Sequence, residues 1–275
     1  MNPPLTPAAD RLAKPLREND RRVRQRAATV CRGFALAVAL SLPGAPAADD
    51  RSRDDGGHEF YFTRGIYGDG GDGSDWGPRW AVDFPKADEQ LLVALRRLTV
   101  VDAFESDHAL SIGEPALRDF PFLYVLEVGS LSLSDAQVKG LREYLLAGAF
   151  MVVDDFWGSW AWENFEEQMR RVFPNRTIVE VPLDHPVFHA FYDVNEVLQV
   201  PNVNQAAGGP TWEYDGRWPH VRGIFDDEGR LMVLANWNTD LGDAWEWADL
   251  PDYPLRYSTY AFEICINFVI YGMSY

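Results

Sequence analysis

FPFLYVLEVGSLSLSDAQVKGLREYLLAGAFMVVDDFWGS, residues 120–159, decides how this chain is read. Two apolar runs, Phe122 to Val128 and Phe150 to Val153, flank a helix-forming segment. Near-continuous apolar character over so few residues marks strands buried on both faces, as in a parallel sheet. Ser134 followed three residues later by Gln137 forms a capping box. Val138, Leu141 and Leu145 then recur at helical spacing, and Gly148 ends the helix. Strand, helix and strand in this order make a parallel pair joined by a right-handed crossover. Such units bind ligands at the carboxyl ends of their strands. Glu127, Gly129 and Ser130 therefore form one side of an expected site, and the turn Asp154 to Ser159 forms the other.

Upstream, the run Phe60-Tyr61-Phe62 predicts a first strand from Glu59 to Arg64, and Gly65 to Pro78 a glycine-rich acidic loop. Leu91, Leu92, Leu95 and Leu98 mark one face of a helix, and Thr99 to Ala103 predicts a strand after it. Downstream, Trp160 to Phe173 predicts a helix. Arg222 to Phe225 and Leu231 to Ala235 flank Asp226-Asp227-Glu228-Gly229 and predict a hairpin. Tyr260 to Tyr271 is apolar nearly all round, which predicts a buried helix rather than a membrane span. With no internal repeat, residues 58–275 read as a single three-layer α/β domain with a mostly parallel sheet and a late β-hairpin.

Residues 1–47 read as a signal peptide. Arg21, Arg22, Arg24, Arg26 and Arg32 precede the apolar run Gly33 to Leu42, and Ala45-Pro46-Ala47 offers the small residues of a cleavage site. The apolar run falls well short of the roughly 20 residues that span a bilayer, which favours cleavage near Ala47 over an uncleaved anchor. Export, to the periplasm, is the expectation. Residues 48–57 are charged and Gly-ended and predict a disordered linker.

Loss of residues 1–47 would leave 17 basic against 39 acidic residues, a net charge of −22. Nucleic acid and anionic membrane surfaces, which require clustered Lys and Arg, are excluded as partners on that ground. Cations and neutral ligands remain, with a protein or glycan of the cell envelope as the expected partner class. Of the two cysteines, Cys31 leaves with the leader, and Cys265 alone cannot form an internal disulfide. Cys265 sits in the apolar final helix and reads as a small core residue.

Adjacent carboxylates at a strand end, Asp154 and Asp155, repel unless a cation, a donor cluster or a raised pKa relieves them. Neighbouring strand residues face opposite sides, so at most one enters the site; helix capping and solvation are the structural alternative. Ser159 reads as a helix N-cap, because the pattern around it is not that of a nucleophile elbow. Asp184, His185 and His189 form a candidate metal set for zinc or a similar ion, making a divalent cation the candidate cofactor. Pro186 disfavours the helical turn that set needs, and a His185 bonded to backbone in a tight turn is the competing reading. Asp69, Asp72, Ser74 and Asp75 have the composition of a cation loop without the spacing of an EF-hand. Trp157, Trp160, Trp162, Trp237, Trp245 and Trp247 place aromatic faces near the expected rim, where carboxylates and rings together suit a sugar; the alternative is that they are core.

Gly71-Asp72-Gly73-Ser74-Asp75-Trp76, Phe120 to Tyr124, Tyr144 to Phe150 running into Asp154-Asp155, and Leu183-Asp184-His185-Pro186-Val187-Phe188-His189 together resemble the bacterial domain-of-unknown-function family 4159. Thr239-Asp240-Leu241-Gly242 followed by Trp245-Glu246 is similar to that family's late motif. The likeness implies a flavodoxin-like fold close to the class I glutamine amidotransferase-like superfamily, in an exported or membrane-associated bacterial protein, and carries no established activity. Active amidotransferases of that superfamily place a nucleophilic Cys at a sharp strand-to-helix turn. The corresponding turn here, Asp154 to Ser159, has none.

Two function classes follow. One is a noncatalytic ligand-binding or assembly module, with Glu127, Gly129, Ser130, Trp157, Ser159, Asp240 and Trp245 as its binding residues. The other is a metal-assisted or acid/base hydrolase acting on a glycan or cell-envelope substrate, with Asp154, Asp155 and His185 catalytic.

Overall fold

The computed structural model describes residues 57–68 and 77–274. The predicted leader, nearly all of the predicted linker and the acidic residues Asp69, Asp72, Ser74 and Asp75 lie outside the described residues.

The 120–159 unit forms as the sequence dictates. Strands β3 (Phe122–Leu126) and β4 (Phe150–Asp154) are buried at every residue and pair in parallel, from Phe122 against Phe150 to Leu126 against Asp154. Between them, α2 (Asp135–Leu146) begins at its capping box: Ser134 Oγ accepts from Gln137 N, and Gln137 Oε1 accepts from Ser134 N at 2.9 Å. Gly148 ends the turn at φ 116°.

These strands are the middle of a seven-stranded sheet with β1 (Thr63–Ile66), β2 (His108–Ser111), β5 (Val179–Glu180), β6 (His220–Phe225) and β7 (Leu231–Trp237). The strand order is β2-β1-β3-β4-β7-β6-β5, parallel from β2 through β7, with β6 antiparallel to both of its neighbours. The hairpin predicted between Phe225 and Leu231 is the β6–β7 turn. There Asp226 Oδ1 accepts from Glu228 N and Arg230 N, and Gly229 takes φ 84°.

Two predicted strands move. Of the predicted first strand, Phe60 makes only an isolated bridge to Ala103, and the ladder starts at Thr63, in the last two residues of the predicted range, and runs on to Ile66. Thr99 to Ala103 is not a strand, because Thr99 closes the preceding helix: its Oγ1 donates to Leu95 O at 2.7 Å and accepts from Val101 N. The second strand therefore starts at His108.

Strand alternation separates two cores. Phe122, Tyr124, Leu126 and Val152 pack with α1 (Lys86–Leu98), α5 (Leu241–Glu246) and α6 (Leu255–Ser274). Leu123, Val125, Met151 and Val153 pack with α2 and α3 (Gly158–Val172). The result is a helix–sheet–helix α/β unit of three layers. Helix α6 is buried along most of its length, and Cys265 is a fully buried free thiol in its interior. The buried polar Asn267 on that helix is satisfied: its Oδ1 accepts from Phe191 N and Tyr192 N, and its Nδ2 donates to Phe188 O and Tyr192 O. Among the described residues, no helix is long and apolar enough to cross a membrane.

A buried ion pair fixes the path of the chain after β1. Arg64, fully buried, donates through Nε to Asp88 Oδ2 at 3.0 Å and through Nη2 to Asp88 Oδ1, while Nη1 donates to Val82 O at 3.0 Å. Its guanidinium lies over the rings of Phe84 and Tyr124. The loop 79–85 is thereby drawn down onto the carboxyl edge of the sheet.

Candidate functional site

A cavity of about 790 Å³ opens at the carboxyl ends of β1, β3, β4 and β7. Each strand contributes through the loop after it: Arg79 and Asp83 after β1, Glu127, Gly129 and Ser130 after β3, Asp155 and Trp157 after β4, Asp240 and Asp243 after β7. The long β5–β6 connection, which contains the single-turn α4 (Val203–Ala206), adds Asn202, Asn204, Glu213, Tyr214 and Asp215.

Backbone geometry presents these groups. Glu127 and Asp155 both sit in the left-handed region, φ 54° and 49°, and Glu127 N is shared between Asp154 O and Asp155 O. That interlock sends both chains sharply out of the sheet. Gly129 is required by the approach of α3, since a Cβ built there falls 2.8 Å from Ala161 Cβ.

Strand parity divides the two adjacent carboxylates. Asp154 faces the α1/α5/α6 side and is sealed beneath the cavity: its Oδ1 accepts from Asn236 Nδ2 at 2.7 Å, and its Oδ2 accepts from Tyr124 Oη at 2.7 Å and Leu241 N at 2.8 Å. Burial raises its pKa to about 6, and these donors hold it from rising further. Every oxygen is already engaged in holding the β7–α5 turn to β4, so Asp154 is a structural carboxylate and not an acid or base acting in the cavity. Asp155 does line the cavity, where its Oδ1 accepts from Trp157 Nε1 at 3.0 Å.

The cavity is strongly acidic. Burial, then Glu127, Asp83 and other neighbouring carboxylates, hold Asp155 well above the usual carboxylate range. Asp240 is raised in the same way by burial, then by Asp155, Asp243 and Asp83. Its Oδ1 accepts from Asp243 N at 2.8 Å and caps α5. Asp243 is raised by burial, opposed by donors from Val203 N and Trp247 Nε1 and by a hydrogen bond with the Asp83 side chain. Asp83 is raised by burial and then by Asp243, with Arg64 pulling the other way. Against these carboxylates the cavity wall carries Arg79, which donates to Glu127 Oε1 at 3.0 Å.

Other predicted site residues fall elsewhere. Ser159 is not the N-cap of α3. It lies within the first turn, where its N and Oγ both donate to the Asp215 carboxylate, at 2.9 and 2.7 Å, while Gly158 N is capped by Asn238 Oδ1. Trp245 does not face a ligand. It is fully buried against Tyr124 and Phe62, because the helical turn that brings Asp243 to the cavity directs residue 245 into the core.

Asp184, His185 and His189 do not assemble a metal set. His185 Nδ1 accepts from Val187 N as the cap of a single 3-10 turn, and its ring packs on Phe225 and Tyr271. Tyr271 in turn meets Phe150 at the amino end of β4, so His185 stands at the edge of the sheet opposite the cavity. Both ring nitrogens of His189 are engaged, with Asp193 Oδ1 and Leu183 O.

Sequence reasoning missed Asp83, Asp215 and Asp243 among the cavity carboxylates, and also Arg79, Asn202, Asn204, Glu213 and Tyr214. Asp243 follows Asp240 by three residues, a helix-capping interval that could have been read, whereas Asp83 is brought in by the nonlocal Arg64–Asp88 pair.

The family model described as domain of unknown function (DUF4159) matches residues 67–273. The chain belongs to that family. The match begins just after β1 and runs almost to the end of α6, so every residue that lines the cavity of this DUF4159 domain lies inside it. No curated protein matches the chain.

Proposed function

We propose that this DUF4159 protein is an exported, noncatalytic ligand-binding domain on a flavodoxin-like, amidotransferase-like scaffold, and that its ligand is a neutral glycan of the cell envelope. Counted along the chain, the parallel strands β2-β1-β3-β4-β7 follow the 2-1-3-4-5 order of flavodoxin-like sheets, which supports that scaffold. Residues 1–47 support export, and the acidic balance argues against nucleic acid and anionic membranes. The absence of Cys, and of a free Ser nucleophile, in the turn after β4 supports a noncatalytic role.

The observation that carries the reading is a pair of exposed rings at the cavity mouth, Trp160 at 70% and Tyr214 at 83% exposure, above an interior of carboxylates. Ring faces pack the apolar faces of sugars, and carboxylate oxygens accept from their hydroxyls. Cosedimentation with purified cell-wall sacculi tests it. Saturable binding, weakened at least tenfold by Trp160→Ala with Tyr214→Ala, is the expected result. Absence of binding, or equal binding by the double variant, would sink it.

One observation favours hydrolysis as a second reading: Asp155 projects into the cavity from a left-handed position directly after a strand, with its pKa held high, as suits a general acid. Under that reading the same sacculi would release soluble fragments, and Asp155→Asn would stop the release while leaving sedimentation intact.

A further inference from the structure

We infer that Asp83, Asp240 and Asp243 form a binding site for a hard divalent cation at the base of the cavity. The inference goes beyond the glycan reading and stands without it, because the cation is tested alone.

One carboxylate oxygen from each of the three residues lies within 4.8 Å of the other two. Mutual repulsion alone would drive such groups apart, yet hydrogen bonds hold the side chains of Asp240 and Asp243 and the backbone beside Asp83 in place. Asp240 caps α5 through Asp243 N, Asp243 is held by Val203 N and Trp247 Nε1, and the Asp83 loop is anchored by Arg64 on Val82 O. The site is preorganised rather than collapsed.

A second, independent observation points to a ligand. The Oδ2 atom of Asp83 is closed off from solvent and receives no N–H or hydroxyl donor among the described residues, a proton shared with the Asp243 carboxylate being the alternative to a cation. A buried carboxylate oxygen without a donor is destabilising unless a proton or a positive charge meets it. That oxygen lies over the start of α5 beside Asp240: a Cβ built on Gly242 would fall 2.5 Å from it and 3.6 Å from Asp240 Oδ1. Gly242 supplies the space that any side chain would fill.

A proton shared between Asp83 and Asp243 relieves one of the three charges and leaves the field of Asp155 and Asp240 in place. A divalent cation relieves them together. The donor set is all oxygen, three carboxylates, which suits calcium, magnesium or manganese and not a thiolate- or imidazole-preferring metal.

The test uses the full-length protein, stripped with EDTA and then dialysed free of it, at pH 7.5. Isothermal titration with calcium, magnesium and manganese chlorides should give one saturable site for at least one of them. A thermal melt should rise by roughly 5–10 °C at a hundredfold excess over Kd. Asp83→Asn should weaken binding at least tenfold and remove the melt shift. Its metal-free Tm should equal or exceed that of the wild type, because the variant removes a repelling charge; that second reading separates lost binding from misfolding. Silence with all three ions, undiminished binding by Asp83→Asn, or a response to zinc alone would each overturn the inference, and the first would leave the shared proton as the occupant.

Discussion

Tyr124 donates its buried hydroxyl to Asp154 Oδ2 at 2.7 Å, and the same oxygen receives Leu241 N at 2.8 Å. One carboxylate thus ties β3, the end of β4 and the start of α5 together beneath the cavity. The cost is desolvation, which lifts Asp154 to about 6 from an unfolded value near 3.9.

The sign of the resulting pH dependence follows from linkage. Between about pH 4 and 6 the folded chain holds a proton at Asp154 that the unfolded chain has released, so stability falls as pH rises through that window. The contribution is on the order of 2–3 kcal/mol. Asp154→Asn, with the Asn236 amide turned over to accept, should reduce the fall in urea midpoint between pH 4 and 6.5, leaving the part that the raised cavity carboxylates contribute. An unchanged pH profile in the variant would contradict this account of Asp154.

Arg64 and Asp88 are both fully buried and satisfied mainly by one another, so deleting either leaves an unpaired charge in the core. Asp88→Ala should cost about 3–5 kcal/mol in chemical denaturation. Because Arg64 also holds Val82 O, the variant should loosen the Asp83 loop. Hydrogen exchange at residues 80–84 should accelerate more than at 150–154 in β4. Uniform acceleration would mean that the pair holds the whole fold and not the loop in particular.

Gly129 and Ala161 set the distance between the turn after β3 and helix α3. Gly129→Ala should destabilise by about 1–3 kcal/mol as the added methyl meets Ala161 Cβ. Ala161→Gly in the same chain should recover part of that loss despite its own helix penalty of about 1 kcal/mol. Strict additivity of the two changes, measured by urea midpoints, would mean that the contact is not what requires glycine.

What was legible in the sequence was local. The β3–α2–β4 unit carried its own apolar runs, capping box and terminal glycine, and strand parity already required Asp154 and Asp155 to part. The β6–β7 hairpin announced itself through its acidic turn. What could not be read came from pairings distant in sequence. Asp83 reaches the cavity because Arg64, 19 residues earlier, and Asp88 fold its loop inward, and the cap of α3 is supplied by Asp215, 56 residues from Ser159. The histidines misled because four-residue spacing implies a shared face only on a helix, and here a single 3-10 turn separates them. Trp245 misled because its motif supplies two carboxylates to the cavity and a ring to the core from one short helix.

The most direct measurement of where the working site lies is an anomalous difference map from crystals of the full-length protein soaked in manganese chloride. A peak at about 2.0–2.6 Å from oxygens of Asp83, Asp240 and Asp243 is the expected result. A peak at His185 or His189 with none in the acidic cavity, or no peak in the cavity at saturating manganese, would contradict it.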